Sequence, residues 1–503
     1  MRRLISPSAM RVSELNYFET SGVPSIQVME RAAAALAQAV MEDVPEGARV
    51  YLACGTGGNG GDGTACARML AETRRVTIVA PDAPATPDAV ENMARAGDMG
   101  IPIVSDAPAD APDAWVDALF GTGLSRAPHG AAAQLIARIN ADRARGAKVF
   151  SADIPSGLNG ATGHAYDACV TADRTVTFQY EKTGLRLADG LDRCGRVTVA
   201  DVGFPEEGFG PFDAQLMEAG DVARLMPQRR RNIHKGDCGR LLIVAGSYGM
   251  AGAAVLCASG AVRTGAGLVT VACPGSIVPI VQASVPQATC IPLDEHDGAI
   301  SDAAVGKVEE ALKGKDAAAI GPGLTRRASR GVLRAVLRAE IPAVVDADAL
   351  NLIAEERGLT YLLRDRHVLT PHPGEAARLP ACPPAQGEGA PVDLGDPIAA
   401  ARALTALGAT VLLKGAATVI AGPGETYVSA SGCCGMARGG SGDILTGMLG
   451  ALLADRSDRT PALDAALASE LHGLAGEKAQ AKYGSRGMNA RDIIEYLPEV
   501  LPR

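Results

Sequence analysis

The sequence predicts an α/β protein of two doubly wound domains, each a parallel sheet covered by helices on both faces. Three observations carry this. Apolar runs of strand length alternate with helical stretches through most of the chain. Many of those runs end in glycine accompanied by Asp, Asn or Ser, and the 59 glycines show no triplet period. At 503 residues the chain is long for a single core, and a charged stretch, Gln228-Arg-Arg-Arg-Asn232, interrupts the alternation. The boundary is placed near 225–232, giving domains 1–225 and 226–503.

In the first half, 13–40 reads as one or two helices and Arg49–Cys54 as a short buried strand. A glycine loop, 55–63, and a helix at 64–72 follow. Strands are expected at 76–80, 101–105, 114–119 and 148–153, and helices at 87–96 and 131–144. Beyond them, 174–178 and 195–201 alternate as strands. Three strand ends carry Asp or Asn with glycine: Asn59-Gly-Gly-Asp-Gly63, Asp117-Ala-Leu-Phe-Gly-Thr-Gly123 and Asp153-Ile-Pro-Ser-Gly157. In a parallel sheet such loops converge on one crevice at the carboxyl edge. Lys182, near Asp153 in this reading, either forms an acid–base pair with it or sits in a solvated loop.

The second half repeats the pattern. Strands are expected at 240–245, 268–272, 316–320, 342–346, 367–370, 410–413, 418–421 and 426–429, with helices at 253–264, 444–454, 462–483 and 490–497. Its focus is Gly432-Cys-Cys-Gly-Met-Ala-Arg-Gly-Gly-Ser-Gly-Asp443, a glycine-rich turn opening a helix. Free N–H groups and the helix dipole make such a turn an anion site. Asp443 in the first helical turn acts either as base toward a substrate hydroxyl or as a helix cap. Asp346 and Asp348 stand at a strand tip, where either can cap a helix. Lys414 ends a strand, and His372 lies between prolines beside Glu375.

Some chemistry is disfavoured. A net charge of −9 speaks against a general binder of nucleic acid or anionic membrane, and no apolar run reaches the roughly 20 residues of a membrane span. The eleven cysteines form no C-x-x-C pair and no zinc spacing, so reduced buried thiols in a cytoplasmic protein are expected. Gly55-Thr-Gly-Gly-Asn-Gly60 fits the dinucleotide fingerprint G-x-G-x-x-G. Asn59 and Asp62, however, put polar and negative groups where pyrophosphate needs bare backbone, which weighs against a dehydrogenase. No P-loop motif occurs.

The first-half motifs, with Val116-Asp-Ala-Leu-Phe-Gly-Thr-Gly-Leu124, together resemble the YjeF N-terminal domain of NAD(P)H-hydrate epimerases. The resemblance implies a Rossmann-like fold and epimerisation at C6 of the hydrated nicotinamide ring. It implies potassium held by Asn59, Asp117 and Ser156. The hydrate would contact Asn59, Gly60, Gly61, Asp62 and Gly63, then Gly121, Thr122, Gly123, Leu124, Ser125, Arg126 and Ala127, and also Asp153. Asp153 and Lys182 would carry the chemistry.

The second-half motifs, among them Gly321-Pro-Gly323, Asp346-Ala-Asp-Ala-Leu-Asn351 and Gly439-Gly-Ser-Gly-Asp443, resemble the ribokinase-like superfamily and, within it, the NAD(P)H-hydrate dehydratases. That resemblance implies a hydrate site of Ala253, Gly323, His372, Pro373, Gly374, Glu375, Ala376, Ala377, Arg378 and Asp443, with Asp443 as base. ADP would lie against Lys414, Gly415, Ala416, Ala417 and Thr418, and against Gly432, Cys433, Gly435, Met436, Ala437, Arg438, Gly439, Gly440, Ser441 and Gly442. Two positions depart from the family pattern: Cys433, near a usual Asn, and Thr325, where Gly is usual.

The combined expectation is a bifunctional repair enzyme that takes NADH or NADPH hydrates, ADP and Mg2+, with K+ in its first domain, and works as a homo-oligomer. A vitamin-precursor kinase using ATP shares the Gly-Ser-Gly-Asp site and is the alternative, told apart by a stable phosphorylated product. A first domain that only binds a nucleotide or a partner is a further rival, which intact Asn59, Asp117 and Asp153 oppose.

Overall fold

The structure is a computed structural model that describes residues 1–226, 228–380 and 392–502. It separates into two compact units, Arg3–Ala214 and Gln215–Arg503 together with Met1–Arg2. The units divide upstream of the 225/226 position expected from the sequence.

The first unit holds a seven-stranded sheet in the order Ile103–Val104, Arg75–Val79, Arg49–Cys54, Ala114–Ala118, Lys148–Ala152, Arg174–Phe178, Arg196–Ala200. Every pairing in it is parallel. Ala114–Ala118 and Arg174–Phe178 are buried along their full length; the first reads as an apolar run around Asp117, whereas the second alternates polar and apolar residues although both of its faces are covered. A short parallel pair, Arg2–Ile5 with Glu181–Lys182, sets Ile5 opposite Lys182. The segment expected as one or two helices is two, Pro7–Ser21 and Ser25–Asp43.

One correction concerns the first glycine loop. The helix expected from residue 64 begins at Gly58 and runs to Leu70, so Asn59-Gly-Gly-Asp-Gly63 is its opening turns. Tertiary packing overrides the poor helix propensity of glycine here. A Cβ on Gly60 would lie 1.8 Å from the Gly55 carbonyl oxygen, so only glycine lets the helix start this close to the preceding strand.

In the second unit the sheet runs Thr289–Leu293, Leu268–Pro274, Arg240–Val244, Ala317–Ile320, Ala343–Val345, His367–Leu369, Thr410–Leu413, Thr418–Gly422, Glu425–Ser429 and Ala214–Met217. It is parallel through Thr410–Leu413; Thr418–Gly422 then pairs antiparallel with both its neighbours. Helices Ala251–Thr264 and Ser441–Leu453 pack closely, because glycines stand at their crossing. A Cβ on Gly447 would fall 1.9 Å from the Cys257 carbonyl oxygen, and one on Gly260 would fall 2.6 Å from that of Ile444. This close crossing fixes where the first turn of Ser441–Leu453, with Asp443, emerges. The C-terminal helices are Pro461–Gly487 and Ala490–Val500. Among the described residues no helix is long and apolar enough to cross a membrane.

Candidate functional site

In the first unit the strand-end loops open onto a cavity of about 460 Å3. Of the residues expected at the hydrate site, Asn59, Asp62, Gly121, Thr122, Gly123, Leu124 and Asp153 line it. Gly60, Gly61, Gly63, Ser125, Arg126 and Ala127 are not in its lining. The glycines are buried against the body of the unit, where a Cβ on Gly61 would lie 2.7 Å from Met29 and one on Gly63 2.6 Å from Ala118. Ser125, Arg126 and Ala127 are exposed.

Asp153 takes a left-handed backbone, φ 63°, rare for a residue with a Cβ and a form of strain that gathers at functional sites. Its Oδ1 accepts from the Lys182 ammonium at 2.6 Å, from the Thr177 hydroxyl at 2.9 Å and from the Phe178 amide at 3.3 Å. Lys182 is 1% exposed and also donates to the Phe178 carbonyl at 3.0 Å. Of the two sequence readings for Lys182, the solvated loop is therefore excluded and the pair with Asp153 is found.

Asp117 is fully buried and accepts from the Ser156 amide at 2.8 Å, the Ser151 hydroxyl at 2.9 Å and the Leu119 amide at 3.4 Å. Burial pushes its carboxyl up, against the hydrogen bonds from Ser156 and Ser151. The Ser156 hydroxyl accepts from the Phe120 amide at 2.9 Å. Next to Phe120, Gly121 packs on the Asn59 side chain, whose Nδ2 is buried without a hydrogen-bond partner among the described residues. Asn59, Asp117 and Ser156 thus share one neighbourhood.

Sequence reasoning missed Glu14, which enters the cavity from helix Pro7–Ser21. Burial pushes it up to about 7; Lys182 opposes the shift and Asp153 adds to it. A lone acid on a helix carries no motif by which it could have been found.

In the second unit Asp443 sits half-buried in the first turn of Ser441–Leu453. Its carboxylate accepts no hydrogen bond among the described residues, which leaves it free and removes the cap reading. Burial raises its carboxyl to about 6; Asp346 adds to this and Lys414 opposes it. Lys414 pairs with Asp346 at 2.8 Å and stands 3.9 Å from Glu375, and its amide donates to Pro371 O at 2.9 Å. Asp346 also accepts from the Thr446 hydroxyl at 2.6 Å. Burial alone would raise Asp346, yet Lys414 and Thr446 hold it below its ordinary value. Asp346 is thus a buried counter-ion and no cap, whereas Asp348 opens helix Asp348–Glu355 and accepts from the Thr325 amide at 2.8 Å.

His372 caps the short helix Pro373–Ala376, taking the Glu375 amide on Nδ1 at 3.3 Å while Glu375 accepts from its amide at 2.9 Å. Pro373, Gly374, Ala377 and Arg378 are exposed and Glu375 and Ala376 buried. Arg378 donates to Asn351 Oδ1 at 2.9 Å. Gly323, with φ 65°, packs on Ala253 and the Met250 carbonyl.

The glycine-rich turn is pinned to helix Pro461–Gly487. Gly432 N donates to Glu477 at 2.8 Å, Gly435 N to Gln480 at 2.9 Å, Cys433 Sγ to Gly476 O at 3.3 Å and Arg438 to Ser485 O at 2.8 Å. Ala437 and Gly439 are exposed, Met436 is half-buried, and Gly440 takes φ 96° as the helix opens. Gly442 faces the Lys414 ammonium. Gly415 and Ala416 are exposed, Ala417 is buried, and Thr418 begins a strand. His472, not singled out in the sequence, is buried 3.4 Å from the Ser441 hydroxyl and pushed down to about 4 by burial.

The chain matches the family described as NAD(P)H-hydrate dehydratase over residues 241–499 and that described as YjeF-related protein N-terminus over 25–184. It is 37% identical to a bifunctional NAD(P)H-hydrate repair enzyme Nnr of Moorella thermoacetica, covering 95% of this chain and 93% of that one. The chain belongs to the bifunctional NAD(P)H-hydrate repair enzymes. A member of this family from Escherichia coli is 34% identical, over 98% of this chain and 92% of its own. A solved Bacillus subtilis ADP/ATP-dependent NAD(P)H-hydrate dehydratase, co-crystallised with ATP/Mg2+, is 28% identical with TM-score 0.45 and covers 57% of this chain and 97% of its own. In this family the epimerase and dehydratase modules are joined in one chain, in the order in which the two sites above occur.

Proposed function

We propose that this chain repairs hydrated NADH and NADPH in two steps. The first unit interconverts the R and S hydrates, and the second dehydrates the S form with ADP, giving AMP and phosphate. The epimerase is assigned to 1–225 and the dehydratase to 226–503. The observation that carries the reading is Asp443, a free carboxylate at a helix start beside the Lys414–Asp346 pair, in a chain of this family.

Hydroxide is a poor leaving group. Asp443 removes the C6 hydroxyl proton as the oxygen attacks the terminal phosphorus of ADP, and AMP departs with the electrons of the broken P–O bond. The N1 lone pair then expels phosphate from C6, and loss of a C5 proton restores the C5–C6 double bond. The sum is hydrate plus ADP giving reduced cofactor, AMP, phosphate and a proton. The N–H groups at Gly440 to Gly442 and the Lys414 ammonium face charge developing on the phosphoryl oxygens. The segment 372–378, Gly323 and Ala253 hold the hydrate, and 414–418 with 432–439 hold the nucleotide.

The magnesium ion of phosphoryl transfer would be held by the phosphates of the nucleotide. When bound, that ion neutralises phosphate charge. In the first unit, Asp117 has no ion-pair partner among the described residues, and the carboxylate, hydroxyl and amide oxygens of Asp117, Ser156 and Asn59 suit a hard cation such as potassium. Such an ion would supply fixed positive charge beside the Gly121 loop. Asp153, held by Lys182, exchanges a proton with the C6 oxygen of the hydrate, and Lys182 carries the balancing charge. A homo-oligomer in the cytoplasm is the proposed working form, read out by light scattering and fractionation.

The test is product analysis with pure S-NADH hydrate, ADP and Mg2+. Equal amounts of NADH, AMP and phosphate support the reading. A stable phosphorylated product would replace it with a kinase.

A further inference from the structure

Inversion at C6 requires the oxygen to leave one face of the ring and return on the other. Asp153 is fixed by Lys182, Thr177 and the Phe178 amide, so it can serve one face only. A second proton carrier must approach from another direction. Glu14 lines the same cavity from helix Pro7–Ser21, whereas Asp153 stands at the carboxyl edge of the sheet. The Glu14 carboxylate makes no side-chain hydrogen bond or ion pair among the described residues.

We propose that Glu14 is a catalytic residue of the epimerase, exchanging a proton with the C6 oxygen on one face while Asp153 does so on the other. This rests on the epimerase reading of the first unit. Glu14 gives its proton to the C6 hydroxyl. The C6–O bond breaks with its electrons, water leaves, and the N1 lone pair forms an iminium with C6. Water then adds to the opposite face, the π electrons return to N1, and the water proton passes to the Asp153 carboxylate. The net change is inversion with one proton moved from Glu14 to Asp153; solvent exchange resets the pair. The opposite direction runs the same steps backwards.

The charged groups around Glu14 are Lys182, Asp153 and Arg11, with Asp62 close by and Asp88 beyond it. Burial raises Glu14 to about 7, so its proton is exchangeable near neutrality. Burial raises the Asp62 carboxyl as well, with Asp153 and Glu14 adding to it, so Asp62→Asn is the variant that tells the two acids apart. Phe18, Val28, Phe178 and Phe204 line the same space and limit the water that could quench an iminium at random.

The experiment starts from pure S hydrate and follows R hydrate by chromatography, above the enzyme-free background, from pH about 5.5 to 8.5. Wild type, Glu14→Gln, Glu14→Asp and Asp62→Asn are compared, with melting curves for each. In wild type kcat/KM falls as pH rises through about 7, alike in both directions, because the two reactive forms carry the same number of protons. Glu14→Gln is expected to lower kcat about 100-fold with KM within about threefold, to erase that limb, and to melt as wild type does. Glu14→Asp recovers part of the rate. A Glu14→Gln rate within about twofold of wild type, or loss of the limb in Asp62→Asn instead, overturns the proposal. A wild-type chain that does not epimerise at all overturns the underlying reading, a result distinct from a silent Glu14→Gln.

Discussion

The two units each place one aspartate at the mouth of a site, and the two are handled in opposite ways. Asp153 is ion-paired to a buried lysine, hydrogen-bonded by Thr177 and Phe178, and strained at φ 63°. The Asp443 carboxylate accepts no hydrogen bond among the described residues and is raised to about 6 by burial and Asp346. The neighbouring lysine differs as well: Lys182 pairs with Asp153 itself, whereas Lys414 pairs with a second aspartate, Asp346. A site that shuttles a proton within one ligand suits a fixed carboxylate. A site that activates a hydroxyl for one transfer suits a free one whose carboxyl burial has raised.

The largest effect expected from this contrast is at Asp443. Asp443→Asn lowers dehydration of S hydrate by about 1,000-fold or more, read by recovery of NADH absorbance, and leaves epimerisation intact because the base belongs to the second unit alone. Equal losses in both activities would break the contrast.

Next is the buried pair. Lys182→Met strands the Asp153 charge and costs about 3–5 kcal/mol in denaturant unfolding of the first unit. Adding Asp153→Asn to that variant recovers much of the loss in stability without recovering epimerisation. At the free carboxylate, removal of Lys414 instead strands Asp346, so Lys414→Met destabilises the second unit even though Asp443 has lost no hydrogen bond.

A smaller effect concerns pH. A base works when ionised, and Asp443 is raised to about 6, so dehydration falls as pH drops through 6 and is level above it. The epimerase is expected to decline at the opposite end, as pH rises through about 7. Measuring both profiles on one preparation separates the sites.

The smallest effect is at Thr325, a β-branched residue at φ 67° whose amide donates to Asp348 at 2.8 Å. Thr325→Gly is expected to add roughly 0.5–1 kcal/mol, the left-handed strain relieved less the greater freedom of glycine in the unfolded chain. A melting temperature that falls would show that the Thr side chain contributes more than its backbone costs.

Much of this was readable from the chain. Arg49–Cys54 and Thr410–Leu413 follow from apolar runs closed by glycine, and Asp443 from a glycine turn opening a helix. The helix start at Gly58 was not readable, because four glycines among its first six residues signal a loop until the packing against Gly55 and Met29 is known. Thr289–Leu293 escaped because it is a half-exposed edge strand containing Pro292. Strand-end chemistry pointed to a shared crevice, and the cavity lining includes Asn59, Gly121 and Asp153. The loop 125–127, expected in that lining, is exposed, and Glu14 came from a helix that no strand-end rule would examine.

The most direct measurement is recovery of NADH absorbance from a mixed R and S hydrate pool with ADP and Mg2+, for wild type, Asp443→Ala and Asp153→Ala. The account predicts full recovery in wild type, none in Asp443→Ala, and in Asp153→Ala a fast phase that stops at the S fraction. Full, fast recovery in Asp153→Ala, or any in Asp443→Ala, would contradict the division of labour between the two carboxylates.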